Sequence, residues 1–131
     1  MPTRILIVDD VPELRQIFRV MLEGDERFEI VGEAADGLDA IAKAGDLKPD
    51  VVLLDIAMPK LDGIAAIPEI HRASPGVKIM VLSGFQTAKL TERALASCAS
   101  AFLEKGASSD KIVSLLGKVA SGPAKKVCLS A

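Results

Sequence analysis

The sequence predicts an α/β fold: a single doubly wound (βα)5 domain whose five-stranded parallel sheet has the order 2-1-3-4-5. Two observations carry that reading. Five short apolar runs rich in β-branched residues recur along the chain: "RILIVDD" (4–10), "FEIVGEA" (28–34), "DVVLLD" (50–55), "VKIMVLS" (77–83) and "SAFLEK" (100–105). The stretches between them place apolar residues at helical spacing. Strands that alternate with helices form right-handed crossover units, which put a parallel sheet between two helical layers. The runs are continuously apolar, as strands covered on both faces should be.

Each helix has its own signals. The first carries Val11, Leu14, Ile17, Phe18, Met21 and Leu22 as a stripe, opens with Pro12 and Glu13, and closes at Gly24. The second, "DGLDAIAKAGD", sets Leu38, Ile41, Ala42 and Ala44 on a shorter face, with Gly45 as its stop. The third follows Gly63 and ends before Pro75. Pro68 conflicts with a helix interior, so this helix either starts near Ala65 or is kinked. A fourth, around "TAKLTERALASC", takes Thr87 as its cap. The fifth, "SSDKIVSLLGKVA", opens on a Ser/Asp cap and carries Ile112, Leu115, Leu116 and Val119. The domain then spans residues 1–121, and 122–131 form a short C-terminal tail.

Composition removes several classes of function. The chain has 131 residues, enough for one domain with a real core. Sixteen basic and eighteen acidic residues give a net charge of -2, so no basic stripe for direct nucleic-acid binding is expected. No apolar run reaches the ~20 residues that span a bilayer, and no membrane partner is expected. "MPTRILIVDD" is not a signal peptide, and Cys98 and Cys128 have no metal-ligand spacing; together they point to the cytoplasm. Cys98 reads as a small buried apolar residue, and His71, ahead of a turn, as exposed and idle.

The chemistry gathers at the strand ends. In an open parallel sheet, ligands bind beyond the carboxyl ends of the strands, where the strand order reverses. The first run ends in Asp9 and Asp10, the third in Asp55, the fourth in Ser83 and the fifth in Lys105, while the second ends in Ala34 and Ala35. With the order 2-1-3-4-5, the three carboxylates converge at the switch point. Two carboxylates ~4 Å apart repel by about 4 kcal/mol at an effective dielectric near 20. Three of them against one lysine call for a cation, and all-oxygen ligands suit Mg²⁺ (or Mn²⁺), which shares its shell with phosphate. An aspartate can then act as a nucleophile toward phosphorus. Lys105 can pair with phosphoryl oxygens and the Ser83 hydroxyl can donate to one.

On "VDD" (8–10), "LLDIAMPKLDG" (53–63), "VLSG" (81–84) and "FLEK" (102–105), the chain resembles the receiver domain of bacterial two-component response regulators. The resemblance runs from residue 4 to about 120, and it implies a flavodoxin-like fold. It implies a phosphoacceptor rather than an enzyme: Asp55 takes a phosphoryl group from a sensor histidine kinase or a phosphotransfer protein. It also implies that Asp10, Asp55 and the Ala57 backbone carbonyl ligate the metal, with Asp9 acting through its water shell. Ser83 and Lys105 would contact the phosphoryl group, and Phe102 would be the switch aromatic. Signalling to a downstream protein would pass through the surface of the fourth helix, fifth strand and fifth helix.

The chain departs from many receivers in following Lys105 with Gly106 rather than proline and in having Phe102 in place of tyrosine. "SCASAFLEKGASSDKIVSLL" is similar to receivers fused to helix-turn-helix domains, yet only eleven residues follow Ala120. A free-standing, chemotaxis-type receiver is therefore the expectation, with the receiver part of a longer DNA-binding regulator as the alternative. A flavin carrier would need a hydroxyl- and glycine-rich loop where "DDVPE" stands. An aspartate-dependent phosphohydrolase would need an acid at position 57, which is alanine. A receiver-fold interaction module without phosphorylation is the third alternative.

Overall fold

In the computed structural model, which describes residues 2–55, 63–83, 101–104 and 108–122, the five apolar runs form one sheet. Its strands are β1 (Thr3–Val8), β2 (Phe28–Ala34), β3 (Val51–Asp55), β4 (Lys78–Ser83) and β5 (Ala101–Glu104). They pair in parallel in the order β2-β1-β3-β4-β5, as the sequence predicts. Helices α1 (Pro12–Glu23), α2 (Gly37–Leu47) and α3 (Gly63–Ala73) follow the first three strands, and a C-terminal helix (Ser109–Ser121) follows β5. The predicted fourth helix with Thr87 and Cys98, and tail residues 123–131, lie outside the described residues.

Period-2 alternation along the strands divides the core between two faces. Leu6 and Val8 of β1, Val52 and Leu54 of β3, and Ile79 and Val81 of β4 pack under Ala40, Ala44, Ala66, Ile67 and Ile70 of α2 and α3. Ile5, Ile7, Val51, Leu53, Met80 and Leu82 face the other way, under Phe18 and Leu22 of α1 and Ile112 and Leu116 of the C-terminal helix. All five residues of β3 are buried, which makes it the central strand. The sheet order reverses between β1 and β3, so their carboxyl ends flank the switch point.

The helices differ from expectation where packing is narrower than the apolar stripe. On α1, Phe18 and Leu22 are buried and Leu14 and Met21 are half-buried, while Ile17 is 53% exposed and Val11 lies at the surface. A narrow seam of Leu14, Phe18, Met21 and Leu22 faces the sheet, and Ile17, about 100° round the helix from Phe18, falls outside it. In α2 the buried face is Gly37, Ala40 and Ala44; Leu38 and Ala42 point to solvent. Gly45 does not stop this helix. A Cβ built on it would lie 3.7 Å from the Ala73 Cβ, so α2 and α3 touch there through small residues. The helix ends instead at Lys48, whose φ of 48° is left-handed and whose Nζ donates to the Ala73 carbonyl at the end of α3.

Pro68 sits inside α3, which begins at Gly63 rather than near Ala65, so the helix continues past the N–H that proline lacks. His71 is buried, against expectation. It lies four residues after Ile67, on the same face as Ile70 and Ser74, and so it points inward with them. Side chains cap two helices: Ser108, at the Ser/Asp cap the sequence predicts, accepts from the Lys111 N–H at 3.3 Å, and Asp36 accepts from the Asp39 N–H at 2.8 Å.

The narrow seam has a measurable consequence. Leu116→Ala, which removes a fully buried contact of the C-terminal helix, should cost about 2–5 kcal/mol in urea unfolding. Ile17→Ala should stay within about 0.5 kcal/mol of the parent, because Ile17 faces solvent.

Candidate functional site

The parallel register brings the acids together. Val8 of β1 pairs with Leu54 of β3, so the next residues, Asp9 and Asp55, leave the sheet side by side. Asp9 and Asp55 are each 1% exposed, and Asp10 is the most open of the three. One carboxylate oxygen from each of Asp9, Asp10 and Asp55 lies within 4.8 Å of the others. At such separations each pair of charges repels by a few kcal/mol at an effective dielectric near 20. The donor set is all oxygen, closely spaced and anionic, without imidazole or thiolate. It fits a hard divalent cation such as Mg²⁺ or Mn²⁺, which the cluster would hold through its carboxylates.

Asp9 is pinned by its neighbours. Its N–H donates to the Ala34 carbonyl at 3.0 Å, and its Oδ1 accepts from the Val11 N–H at 2.9 Å. That bond places the carboxylate just ahead of α1, whose N-terminal dipole favours an anion. Arg15, one turn into α1, donates from Nη1 to the Asp9 carbonyl at 2.6 Å and from Nε to Glu33 Oε1 at 3.0 Å. Arg19 holds the other Glu33 oxygen, and Lys43 Nζ donates to the Glu33 carbonyl. Burial pushes the Glu33 carboxyl up, but the hydrogen bonds and charges of Arg19 and Arg15 outweigh it and hold the group below its ordinary range.

The other predicted positions are placed by backbone alone. Ser83 closes β4 one step beyond Leu82, the partner of Asp55, and pairs with Glu104. Phe102 pairs with Val81 in β5. Ala57 and Lys105 lie outside the described residues. Sequence reasoning missed Arg15 and Glu33. The signal was a glutamate near the end of an apolar run, since a charge in a covered strand needs a partner, and arginines spaced i, i+4 on the neighbouring helix supply one.

A doubly wound parallel sheet with an aspartate cluster at its switch point defines a class of small α/β domains with an acidic pocket suited to a hard divalent cation. Residues 5–117 match the response regulator receiver domain, and the chain belongs to that family. It is 37% identical over 122 residues to the response regulator protein VraR of Staphylococcus epidermidis, covering 93% of this chain and 58% of that one. It is 36% identical over 119 residues to the chemotaxis protein CheY of Thermotoga maritima, covering 91% and 98%. The chain thus spans just over half the length of VraR and nearly all of that CheY. Among solved structures, the response regulator domain of Thermotoga maritima CheB superposes with a TM-score of 0.85 at 29% identity, covering 93% of this chain and 98% of that one. The signal receiver domain of the response regulator NarL from Mycobacterium tuberculosis gives 0.86 at 28%, covering 92% and 98%.

The Glu33 pairs have a pH signature. A carboxyl with a lowered folded pKa adds stability above its unfolded value of ~4.3, and that stability is lost as pH falls through the folded value. In urea unfolding, Glu33→Gln should be less stable than the parent at neutral pH, and the gap should close as pH falls below the ordinary carboxyl range.

Proposed function

We propose that this receiver domain accepts a phosphoryl group on Asp55 from a sensor histidine kinase or a phosphotransfer protein. The observation that carries the reading is the buried Asp55 carboxylate at the end of the central strand, beside Asp9 and Asp10. A carboxylate oxygen of Asp55 attacks phosphorus. A P–O bond forms as the donor's P–N bond breaks, and the imidazole nitrogen keeps the electron pair and takes up a proton from solvent. Asp9, Asp10, Asp55 and the Ala57 carbonyl are the groups that would hold Mg²⁺ (or Mn²⁺). When bound, the ion offsets the carboxylate charge and orients the phosphoryl oxygens.

The acylphosphate carries more negative charge and more acceptor oxygens than the carboxylate it replaces. Ser83 gains an acceptor and Lys105 an ion-pair partner, so both favour the phosphorylated state through a differential interaction. Movement of Ser83 toward the phosphoryl group leaves space into which Phe102 turns. The surface of the fourth helix, β5 and the C-terminal helix then presents a new face to a downstream protein in the cytoplasm. Among the described residues, no helix is long and apolar enough to cross a membrane.

Intact-mass measurement after incubation with Mg²⁺ and acetyl phosphate tests this reading. The parent should gain one phosphoryl group, roughly 80 Da, and lose the ability on chelation of the metal, while Asp55→Asn gains nothing. An adduct of the same size on Asp55→Asn would overturn the assignment of the acceptor.

A further inference from the structure

We infer that Arg15 is the positioning residue of the acidic site, fixing the directions of Asp9 and Asp10 through the peptide group that joins them. The inference rests on the phosphoacceptor reading and adds a residue to it. The carbonyl that accepts from Arg15 Nη1, at 2.6 Å, belongs to the Asp9–Asp10 peptide. A peptide group is planar, so a bond to its oxygen restrains the plane that carries the Asp10 N–H and the Cα atoms of both aspartates, from which their side chains depart. Two further handles act on Asp9 alone: its N–H, held by Ala34, and its Oδ1, held by Val11. The Arg15 bond differs from both in acting on the two aspartates at once.

Arg15 is itself held in one orientation. Its Nε is 3.0 Å from Glu33 Oε1, and its side chain is 17% exposed. A planar guanidinium engaged at Nε and Nη1 by two acceptors in different directions has little freedom to rotate. Glu33 is anchored in turn by Arg19 at 2.7 Å and, through its carbonyl, by Lys43, which pairs with Asp39 at 3.2 Å. A line of charges thus runs from α2 across β2 to α1 and ends on the peptide between the two acids. Groups that orient metal ligands in this way are worth about 10–100-fold in metal affinity. Arg19 serves as an internal control. It pairs with the same Glu33, but its second partner is Glu23 on its own helix rather than the Asp9 carbonyl.

The experiment is calorimetric titration of the full chain with MgCl2, with thermal unfolding and acetyl-phosphate labelling run beside it. Arg15→Met keeps the aliphatic stem and removes both donors, and it should raise the Mg²⁺ Kd by about tenfold or more. Its labelling rate should return toward the parent's at saturating Mg²⁺, measured at a temperature where the metal-free variant is already folded, so that refolding by the ion does not account for the recovery. Arg15→Lys, which still offers a donor to the carbonyl, should recover much of the affinity. Arg19→Ala should bind Mg²⁺ like the parent even where its melting temperature falls. Unchanged affinity in Arg15→Met, or an equal loss in Arg19→Ala, would overturn the positioning role while leaving the phosphoacceptor reading intact. If Arg15→Met is too unstable to titrate, Arg15→Gln, whose shorter side chain lacks the reach of the guanidinium, decides in comparison with Arg19→Gln: an equal Mg²⁺ affinity in the two counts against the inference. A parent that binds no Mg²⁺ and takes no label would overturn both.

Discussion

Three carboxylates within 4.8 Å of one another, two of them buried, would separate if the chain let them. Their mutual repulsion is the constraint around which the carboxyl edge of this sheet is built. A domain of this size is stable by only about 5–15 kcal/mol, so a few kcal/mol of like-charge repulsion is a substantial share. The fold tolerates it because the acids stand on the most rigid elements available. β1 and β3 are adjacent, paired in register, and covered on both faces by apolar side chains. Neither strand can slide or splay without exposing core.

The same arrangement accounts for the site's function. A cation held there would relieve the repulsion, and under the proposed reading the offset charge would make the pocket acceptable to a phosphoryl group. A binding site that is unfavourable when empty gains selectivity for the ligand that relieves it. The charged belt of Asp39, Lys43, Glu33, Arg15 and Arg19 lies outside the core yet reaches the Asp9–Asp10 peptide. The apolar layers hold the strands, and Arg15, the member of this belt that bonds the Asp9–Asp10 peptide, directs the acids at their tips. The receiver family reuses one sheet with many outputs, and the chain's likeness to both VraR and CheY fits a pocket that can serve either kind of protein.

Much of this is legible in the sequence, for reasons particular to each element. Strands covered on both faces must be largely apolar, so all five runs are visible, and once the order 2-1-3-4-5 is taken, the positions of Asp9, Asp10 and Asp55 place them together at the switch point. The helices are harder. Hydrophobicity marks Leu38 and Ile17 as core, yet both face solvent, because the α1 seam is narrow and α2 meets α3 through Ala44 and Gly45. Small residues carry close helix contacts without announcing themselves. Gly45 resembles a stop for that reason, and the true end at Lys48 depends on a left-handed backbone that few lysines adopt. For His71, nearness to a turn suggests exposure, whereas its spacing from Ile67 places it inside. Arg15 and Glu33 leave a trace in the sequence, but which helix meets which strand depends on tertiary register, so their pairing is not legible there. Ala57 and Lys105 lie outside the described residues, and for Ser83 and Phe102 the backbone register alone is described.

Repulsion held in place by the fold and relieved by a cation can be measured directly, as the unfolding free energy of the parent and Asp10→Asn, each with EDTA and with saturating Mg²⁺. Without metal, Asp10→Asn should be the more stable protein, because one of three like charges is gone. With Mg²⁺ the parent should gain more, since a ligand stabilises only the state that binds it, and the advantage of the variant should shrink or reverse. An Asp10→Asn protein no more stable than the parent in EDTA, with the same response to Mg²⁺, would contradict this account.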